Sequence, residues 1–284
     1  MNDQTFTLDE FLNAPTAVVR RYAPATVIYA TGGTRRRAIL AGLDITSQAY
    51  VTWTRAHMIG AIDMLLAHGV KHVFVPVLVD GNAQENTQGY SQQLIGWIDQ
   101  GIAGVDALAD YAQRDWQVRL IGAELVPPLR ETAARLHAET PSSPERCVWF
   151  TVTPHSEAAW DLVFQRVVAE QAFTYRAAVR AVYGQDIPTD DVLLLDFGKP
   201  QIFASAVPPL LVCKMHCYWR QTLGYELTPA LLRRVIYDYA FNRTTWLTDK
   251  SGRAEAVRDY ADLYVDPPLL GEGVRMGPFW FPRT

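Results

Sequence analysis

The stretch VIYATGGTRRR at residues 27–37 decides which fold this sequence can adopt. Its first four residues are apolar and favour a buried strand, and a long helical pattern follows the arginines. Two glycines allow a tight turn, the N–H groups at a helix start point toward an anion, and the arginines add fork-shaped donors that fit phosphate oxygens. The stretch therefore predicts a diphosphate-binding loop, whose residues are Gly32, Gly33, Thr34, Arg35, Arg36 and Arg37.

Two common phosphate loops are excluded here, and a simpler interpretation stays open. No Gly-Lys-Ser/Thr ends the loop, and the Gly-x-Gly-x-x-Gly spacing of dinucleotide sites is missing. A plain strand-to-helix turn whose arginines are only solvated would show the same local sequence pattern. The rest of the chain has to decide between these interpretations.

Composition limits the class of protein. The 284 residues contain no Pro/Gly/Ser-rich divider, which favours one domain over residues 1–284. Hydrophobic residues make up 49% and charged residues 20%, as is usual for an α/β protein with a large core. A net charge of −4 argues against nucleic acid as a partner, so we interpret the arginines as a local device.

The termini and cysteines predict a cytoplasmic protein. Three cysteines form no paired framework, and the residues around Cys213 and Cys217 lack a second Cys/His pair for zinc. The first residues show no basic segment followed by an apolar one. No apolar run approaches the roughly 20 residues that span a bilayer, so we expect no stable membrane insertion.

Apolar and helical segments alternate along the chain. Strands are predicted at 27–30, 72–79, 116–122, 147–152 and 192–197, with a sixth apolar segment at 210–215. Helices are predicted at 47–68, 90–111, 129–138, 156–183 and 229–241. This alternation predicts an α/β fold, a mainly parallel sheet of about six strands with helices on both faces. A ligand would bind at the carboxyl edge of the sheet.

The ordered series of motifs resembles the cis-prenyltransferases of the undecaprenyl diphosphate synthase type. Residues 32–37 fall where that family has Asp-Gly-Asn-Gly-Arg-Trp, and residues 119–122 fall on its Arg-Phe-Ile-Gly strand. Where the family carries Arg-Thr-Ser-Gly and a following arginine for isopentenyl diphosphate, this chain has Leu195, Asp196 and Gln201. A second diphosphate would lose charge-assisted partners there. The resemblance thus implies one allylic diphosphate site without the second substrate site.

A closer resemblance is to the bacterial diterpene synthases of this fold that are similar to tuberculosinol synthase. It covers the Gly-Thr-Arg-Arg loop, the helix end at 65–69, the strand at 73–80, the helix at 231–238 and a terminal Phe-Trp-Phe at 279–281. It implies that a bicyclic C20 allylic diphosphate, kolavenyl diphosphate or a similar compound, ionises and that water quenches the cation. It also implies a homodimer and a small-molecule prenyl diphosphate as the binding partner.

The resemblance assigns roles to particular residues. Arg36 matches the diphosphate-binding arginine, and two pocket tyrosines of the family fall on Tyr50 and Tyr90, which would stabilise the cation or position water. Three further aromatic residues are expected to line an apolar tail pocket, with simple core packing as the alternative: Trp53, Phe74 and Trp97.

One departure puts the expected Mg²⁺ cofactor in question. Both families begin the loop with an aspartate that is tied to magnesium or to leaving-group chemistry, and here the position is Gly32. Asp80 matches an acid of the diterpene synthases and is the substitute candidate for binding Mg²⁺ or orienting water, unless it only caps the turn before Gly81. A divergent elongating cis-prenyltransferase and a non-catalytic partner subunit of the same fold remain alternatives.

Overall fold

The computed structural model describes residues 6–83, 89–142, 145–243 and 252–283. The strands are β1 (Thr26–Ala30), β2 (His72–Leu78), β3 (Gln117–Ile121), β4 (Cys147–Val152), β5 (Val192–Asp196), β6 (Met215–Trp219), β7 (Gly273–Met276) and β8 (Phe279–Pro282). The α-helices are α1 (Leu8–Asn13), α2 (Thr16–Val19), α3 (Thr34–Leu40), α4 (Gln48–Ala67), α5 (Asp80–Ala83), α6 (Tyr90–Ala103), α7 (Val105–Arg114), α8 (Arg130–Glu139), α9 (Ser156–Ala169), α10 (Tyr175–Tyr183), α11 (Pro229–Tyr237) and α12 (Arg253–Ala256).

Six of these strands form one sheet in the order β3-β4-β2-β1-β5-β6. Every neighbouring pair in it is parallel. The predicted α/β fold is therefore confirmed. All six carboxyl ends lie at one edge, and the loop that follows β1 lies near the middle of that edge, between the ends of β2 and β5.

The sheet is buried on both faces. One core lies under α1, α4, α6, α7, α8 and α11, and the other lies under α9 and α10. Successive residues of a strand point to opposite faces, so Val73 and Val75 of β2 lie in the first core and Phe74 lies in the second. This burial explains why the strands read as nearly continuous apolar runs.

A space opens beside β2 because the strand separates from β1 near its end. The β1–β2 pairing stops at Ile28 and Phe74, and the pairing with β4 is irregular between Pro76 and Leu78. Proline has no N–H to donate, which fits a position where the ladder is interrupted. Beyond Phe74, four residues of this segment line a cavity: Val75, Pro76, Val77 and Val79.

Two predicted helices are divided in the structure. The segment predicted as one helix at 90–111 breaks at Gly104, where any side chain would press against the carbonyl of Gln100. The helix predicted at 156–183 ends at Ala169, passes through Gln171 at φ +52°, and restarts after Thr174, which caps the Ala177 N–H. Apolar periodicity missed both breaks because the two helices on either side of each break bury apolar residues in the same core: α6 and α7 in the first core, α9 and α10 in the second.

The sixth apolar segment, residues 210–215, is not itself the sixth strand. A short 3₁₀ turn covers Pro209–Leu211, and β6 runs from Met215 to Trp219, so only the last residue of the segment belongs to the sheet. The pair Pro208-Pro209 supplies no backbone donors and its fixed φ suits a turn better than a ladder. The apolar residues of this turn pack in the second core, which explains their composition.

None of the helices in the described ranges is long and apolar enough to cross a membrane. The first five residues, on which the absence of a leader was judged, lie outside the described residues. The single domain, the cytoplasmic location and the homodimer stay predictions.

Candidate active site

A cavity of about 560 Å³ opens at the carboxyl ends of β1 and β2, under α3, α4 and α6. Its volume lies in the range usual for small-molecule sites. The mouth is polar and carries the glycine loop, and the remaining wall is mainly apolar, formed by residues such as Val51, Met58, Val75, Val77, Leu94, Ile98 and Ile102. A ligand with one anionic end and a long apolar body matches this division.

The loop at the mouth turns at Gly33, whose φ is +74°, in the left-handed region that favours glycine. Helix α3 begins at the next residue, and Arg36 folds back over the turn. A Cβ at Gly33 would lie 2.8 Å from an Nη atom of Arg36. The glycine thus lets the backbone turn and also leaves room for the arginine.

Gly32 is required for a different reason. A Cβ at this position would overlap the backbone carbonyl oxygen of Phe197, just past the end of β5. On the other side, the Gly224 N–H donates to the Gly32 carbonyl at 2.6 Å. The loop is therefore held between two backbone segments, with no space for a side chain.

The three arginines of the loop have different surroundings. Arg35 and Arg36 both line the cavity, and the guanidinium carbon of Arg35 lies 4.5 Å from the centre of the Tyr90 ring. Arg37 lies outside the cavity lining and pairs with Glu226 at 3.5 Å. The structure thus brings two of the three predicted arginines to the candidate site.

Three predicted aromatic residues lie together beside these arginines. Trp97 packs edge-on against Tyr50 and Tyr90, with ring centres 5.3 Å and 6.3 Å apart, and all three line the cavity. Burial raises the pKa of Tyr50, so its phenol is a neutral donor at ordinary pH. The Tyr90 hydroxyl lies 3.5 Å from the Asn82 amide nitrogen. This wall offers ring faces and hydroxyl groups next to the anion-binding mouth.

Two other predicted lining residues lie elsewhere. Phe74 is fully buried in the second core, stacked on Trp149 at 5.6 Å, on the face of the sheet opposite to the cavity. Trp53 is outside the lining but packs against Tyr225, with ring centres 6.0 Å apart, and so supports a residue that lines it. Core packing, the alternative interpretation, describes Phe74.

Tyr225 was missed by the sequence interpretation. It lines the cavity at φ +35°, an unusual conformation for a tyrosine, and burial raises its pKa well above the ordinary range. The strained conformation follows Gly224, whose backbone is bonded to the glycine loop. Its loop has neither helical nor alternating periodicity, so no local signal pointed to it.

Arg55 was also missed. It lines the cavity one turn along α4 from Val51, and its guanidinium donates to Asp110 at 2.7 Å and approaches Asp106 at 3.3 Å. These carboxylates of α7 balance its charge, which makes it a bridge between two helices more than a phosphate ligand. An arginine among the apolar positions of a helix was the available signal.

Asp80 does not line the cavity. Its Oδ2 accepts a hydrogen bond from the Ser156 hydroxyl at 2.9 Å, and its N–H donates to the Ser205 hydroxyl at 3.2 Å, so it links the start of α9 to the segment between β5 and β6. Its Oδ1 is buried without a partner among the described residues.

The described residues do not fit a protein-held Mg²⁺ at the cavity. They contain no group of three or more His, Cys, Asp or Glu side chains placed to share an ion. The loop position that carries aspartate in the resembled families has no space for a side chain, and Asp80 is engaged elsewhere. Asp80 as a magnesium ligand therefore stays a prediction.

Asp196 ends β5, beside Ala30 at the end of β1. Alternation along β5 turns its side chain away from the cavity, since Leu195 and Phe197 belong to the first core. Burial raises the pKa of Asp196 from 3.8 to about 7, because the charged form has lost water. Ionisation of this carboxyl group near neutral pH therefore lowers the stability of the folded protein.

We expect Asp196→Asn to stabilise the protein at alkaline pH and to leave its stability unchanged at acid pH. Between pH 3.8 and about 7 the unfolded chain ionises this carboxyl while the folded chain keeps it protonated, so stability falls as pH rises through this window and then levels. An asparagine removes that loss. The expected gain at high pH is about 1 to 3 kcal/mol, less than the full shift would give because the group keeps some contact with water.

Denaturant unfolding of both proteins at pH about 3 and about 8 measures this difference, because both the folded and the unfolded chain keep this carboxyl protonated at the lower pH. Asp190→Asn is the control, since the Asp190 side chain is 84% exposed and its loss should change stability by less than about 0.5 kcal/mol at either pH. An equal gain from Asp196→Asn at both pH values would contradict the burial argument.

Comparison with curated proteins finds a relative along nearly the whole chain. The (+)-kolavelool synthase of Herpetosiphon aurantiacus is 36% identical over 280 residues, which cover 99% of this chain and 96% of that protein. No family model matches the sequence.

Two solved structures show the same fold. Lavandulyl diphosphate synthase from Lavandula x intermedia, solved with dimethylallyl diphosphate, has a TM-score of 0.61 at 12% identity and covers 78% of this chain and 97% of that one. A probable undecaprenyl diphosphate synthase from Campylobacter jejuni has a TM-score of 0.56 at 16% identity with the same coverage. Both support the fold, and neither identity is high enough to transfer an activity.

Proposed function

This chain belongs to the family of the (+)-kolavelool synthase and is a diterpene synthase of the cis-prenyltransferase fold, and we propose that its reaction is the hydration of an ionised bicyclic C20 allylic diphosphate. The proposed substrate is kolavenyl diphosphate or a similar compound, and the proposed product is a tertiary alcohol such as kolavelool. The observation that carries this proposal is 36% identity over 99% of the chain to that synthase. The divided cavity, with arginines at its mouth and apolar walls behind, supports it.

Ionisation comes first. The bond between the allylic carbon and the diphosphate oxygen breaks, and the electron pair leaves with the diphosphate. Arg35 and Arg36 and the backbone around Gly33 would stabilise the developing negative charge, which is larger in the transition state than in the substrate. Because these groups are already in place in the folded protein, little reorganisation is needed during the reaction.

The allylic cation would then lie against the aromatic wall. The faces of Tyr50, Tyr90 and Trp97 stabilise positive charge without attacking it, and the apolar wall excludes competing nucleophiles. Water adds to the tertiary carbon and loses a proton to give the alcohol, whereas proton loss from the cation itself gives a diene. The released diphosphate is the nearest strong proton acceptor.

Elongation with isopentenyl diphosphate is the less favoured alternative. A second diphosphate would need cations where Leu195 and Asp196 stand, and Leu195 is 1% exposed in the core. A non-catalytic subunit is disfavoured because the relative across nearly the whole chain is named as an enzyme.

Product analysis in ¹⁸O water tests the proposal. The full chain is incubated with geranylgeranyl, kolavenyl or tuberculosinyl diphosphate, each with and without isopentenyl diphosphate, and hexane extracts are examined by mass spectrometry. We expect a labelled tertiary alcohol from the kolavenyl compound and no elongated product. An unlabelled alcohol would show phosphate-ester hydrolysis in place of ionisation. Elongated product would instead assign a second diphosphate site to cations such as Lys199 and Arg220, both exposed after β5 and β6.

We expect Tyr90→Phe to keep the rate within about threefold and to shift the product from alcohol toward diene. Phenylalanine keeps the ring beneath Arg35 and against Trp97 but removes the hydroxyl that would position water. Tyr90→Ala removes the ring as well and should slow turnover by about 3- to 30-fold, since a ring face stabilises a cation by roughly 0.5 to 2 kcal/mol.

Tyr50→Phe is the matched variant for this prediction, because Tyr50 also packs on Trp97 and lines the same cavity. The ratio of alcohol to diene is measured for all three variants. An unchanged ratio in both phenylalanine variants would mean that neither hydroxyl positions the water and that the rings act through packing or charge alone.

A further inference from the structure

A hairpin near the end of the described chain reaches the mouth of the cavity. Strands β7 and β8 pair antiparallel, outside the main sheet, around a turn with Gly277 at φ +60°. The Phe279 ring at the start of β8 lies 5.3 Å from the guanidinium carbon of Arg36. An arginine of the cavity mouth is therefore in contact with a residue that is 243 positions further along the chain.

Arg36 is exposed but makes two contacts that restrict its guanidinium group. One Nη atom lies so close to the Gly33 turn that a Cβ there would be 2.8 Å away, and the guanidinium carbon lies 5.3 Å from the Phe279 ring. A long side chain that is held in this way keeps fewer conformations and loses less freedom on binding an anion.

An ion pair and a backbone hydrogen bond stabilise the hairpin. Arg283 pairs with Glu272 at 2.8 Å and its N–H donates to the Glu272 carbonyl at 2.9 Å, which closes the open end. A Cβ at Gly271 would lie 3.6 Å from the Pro200 ring, so the segment before the hairpin contacts the loop that follows β5. These contacts fix the open end of the hairpin and the segment before it, and so they help to fix the position of Phe279.

We propose that Phe279 is a positioning residue for the diphosphate site: contact with its ring holds the exposed Arg36 guanidinium toward the cavity. A guanidinium over an aromatic face keeps its charge and its edge donors, which remain free to bind phosphate oxygens. The proposal rests on the proposed function, in which Arg36 binds the leaving diphosphate. In this proposal the hairpin of β7 and β8, which is distant in sequence from the glycine loop, orients Arg36 for diphosphate binding.

Binding of inorganic pyrophosphate to the full chain, measured by calorimetry, tests this role without any terpene substrate. We expect Phe279→Ala to weaken binding by about three- to tenfold, and Phe279→Tyr or Phe279→Trp to restore it. Phe281→Ala is the matched control, because Phe281 lies on the same strand and is 39% exposed against 40% for Phe279, with no ring contact to Arg36 among the described residues. It should bind like the wild type.

A double-mutant cycle separates positioning from a merely structural effect. In an Arg36→Ala background, Phe279→Ala should cause no further loss, because the group that it positions is gone. A loss of the same size in that background, or an equal loss from Phe281→Ala, would overturn the proposal. Unchanged binding in Phe279→Ala would overturn it alone, while a wild type that fails to bind pyrophosphate would overturn the diphosphate site and this role together.

Discussion

Arg36→Ala should lower turnover of the prenyl diphosphate by about 30- to 150-fold while the protein keeps its fold. The arginine lines the cavity mouth, folded over the Gly33 turn, where a charge-assisted bond to the leaving group is worth about 2 to 3 kcal/mol. Its contribution grows as the carbon–oxygen bond breaks, so the loss should appear mainly in kcat. Single-turnover measurements of diphosphate release give the relevant rate.

Arg37→Ala provides the matched comparison for this prediction. The two arginines are adjacent in sequence, but Arg37 pairs with Glu226 on the outside of the loop and is 44% exposed. Its loss should change turnover less than about threefold, because an exposed ion pair contributes about 1 kcal/mol or less. Arg35→Ala should fall between the two. Equal effects of all three substitutions would remove the individual arginines from the mechanism and leave only the net charge of the loop.

The sequence predicted the parts of this site that depend on local order. A strand, two glycines and a helix follow one another within residues 27–40, so their relation in space is nearly fixed by chain connectivity. Tyr50 and Tyr90 were predicted from the family resemblance, Trp97 was predicted separately as a lining residue, and α4 and α6 bring the three side chains together. The loop could thus be predicted from its neighbours in sequence, and the two tyrosines from a known family.

The rest depends on long-range packing that one sequence does not encode in a readable pattern. Strand β2 is apolar on both faces, so its pattern could not tell that Val75 faces the cavity while Phe74 faces the opposite core. Tyr225 lines the cavity from a loop far along the chain, and Phe279 contacts Arg36 from a hairpin near the end of the described residues. Their placement follows from tertiary contacts that have no period.

Gly32→Ala should destabilise the protein by about 1 to 3 kcal/mol and remove most of its activity. The added methyl group would overlap the Phe197 carbonyl oxygen, and neither side can yield easily. Phe197 is 1% exposed and packs on the Tyr29 ring at 5.7 Å, while the Gly224 N–H holds the loop from the other side at 2.6 Å. Any shift that relieves the overlap moves the loop that carries Gly33 and the arginines. Denaturant unfolding and turnover are measured on the same preparation.

Gly60→Ala is the control for this glycine, since nothing lies within 4 Å of a Cβ at Gly60 on helix α4. There the methyl group should raise stability by up to about 1 kcal/mol, because alanine favours a helix over glycine. A Gly32→Ala protein as stable and active as the wild type would show that the loop can move away from β5 without loss.

Gly32→Asp extends the same argument to the loop acid of the resembled families. If the missing acid were the only difference, restoring it should raise activity and introduce a dependence on Mg²⁺. The structure predicts the opposite outcome, a loss of stability at least as large as that of Gly32→Ala, because the carboxylate needs more space than a methyl group beside the same carbonyl oxygen. The loop of this chain thus lies closer to the end of β5 than a loop with a side chain at this position could. In the proposed reaction, ionisation would then be assisted by Arg35 and Arg36 and not by a carboxylate at residue 32.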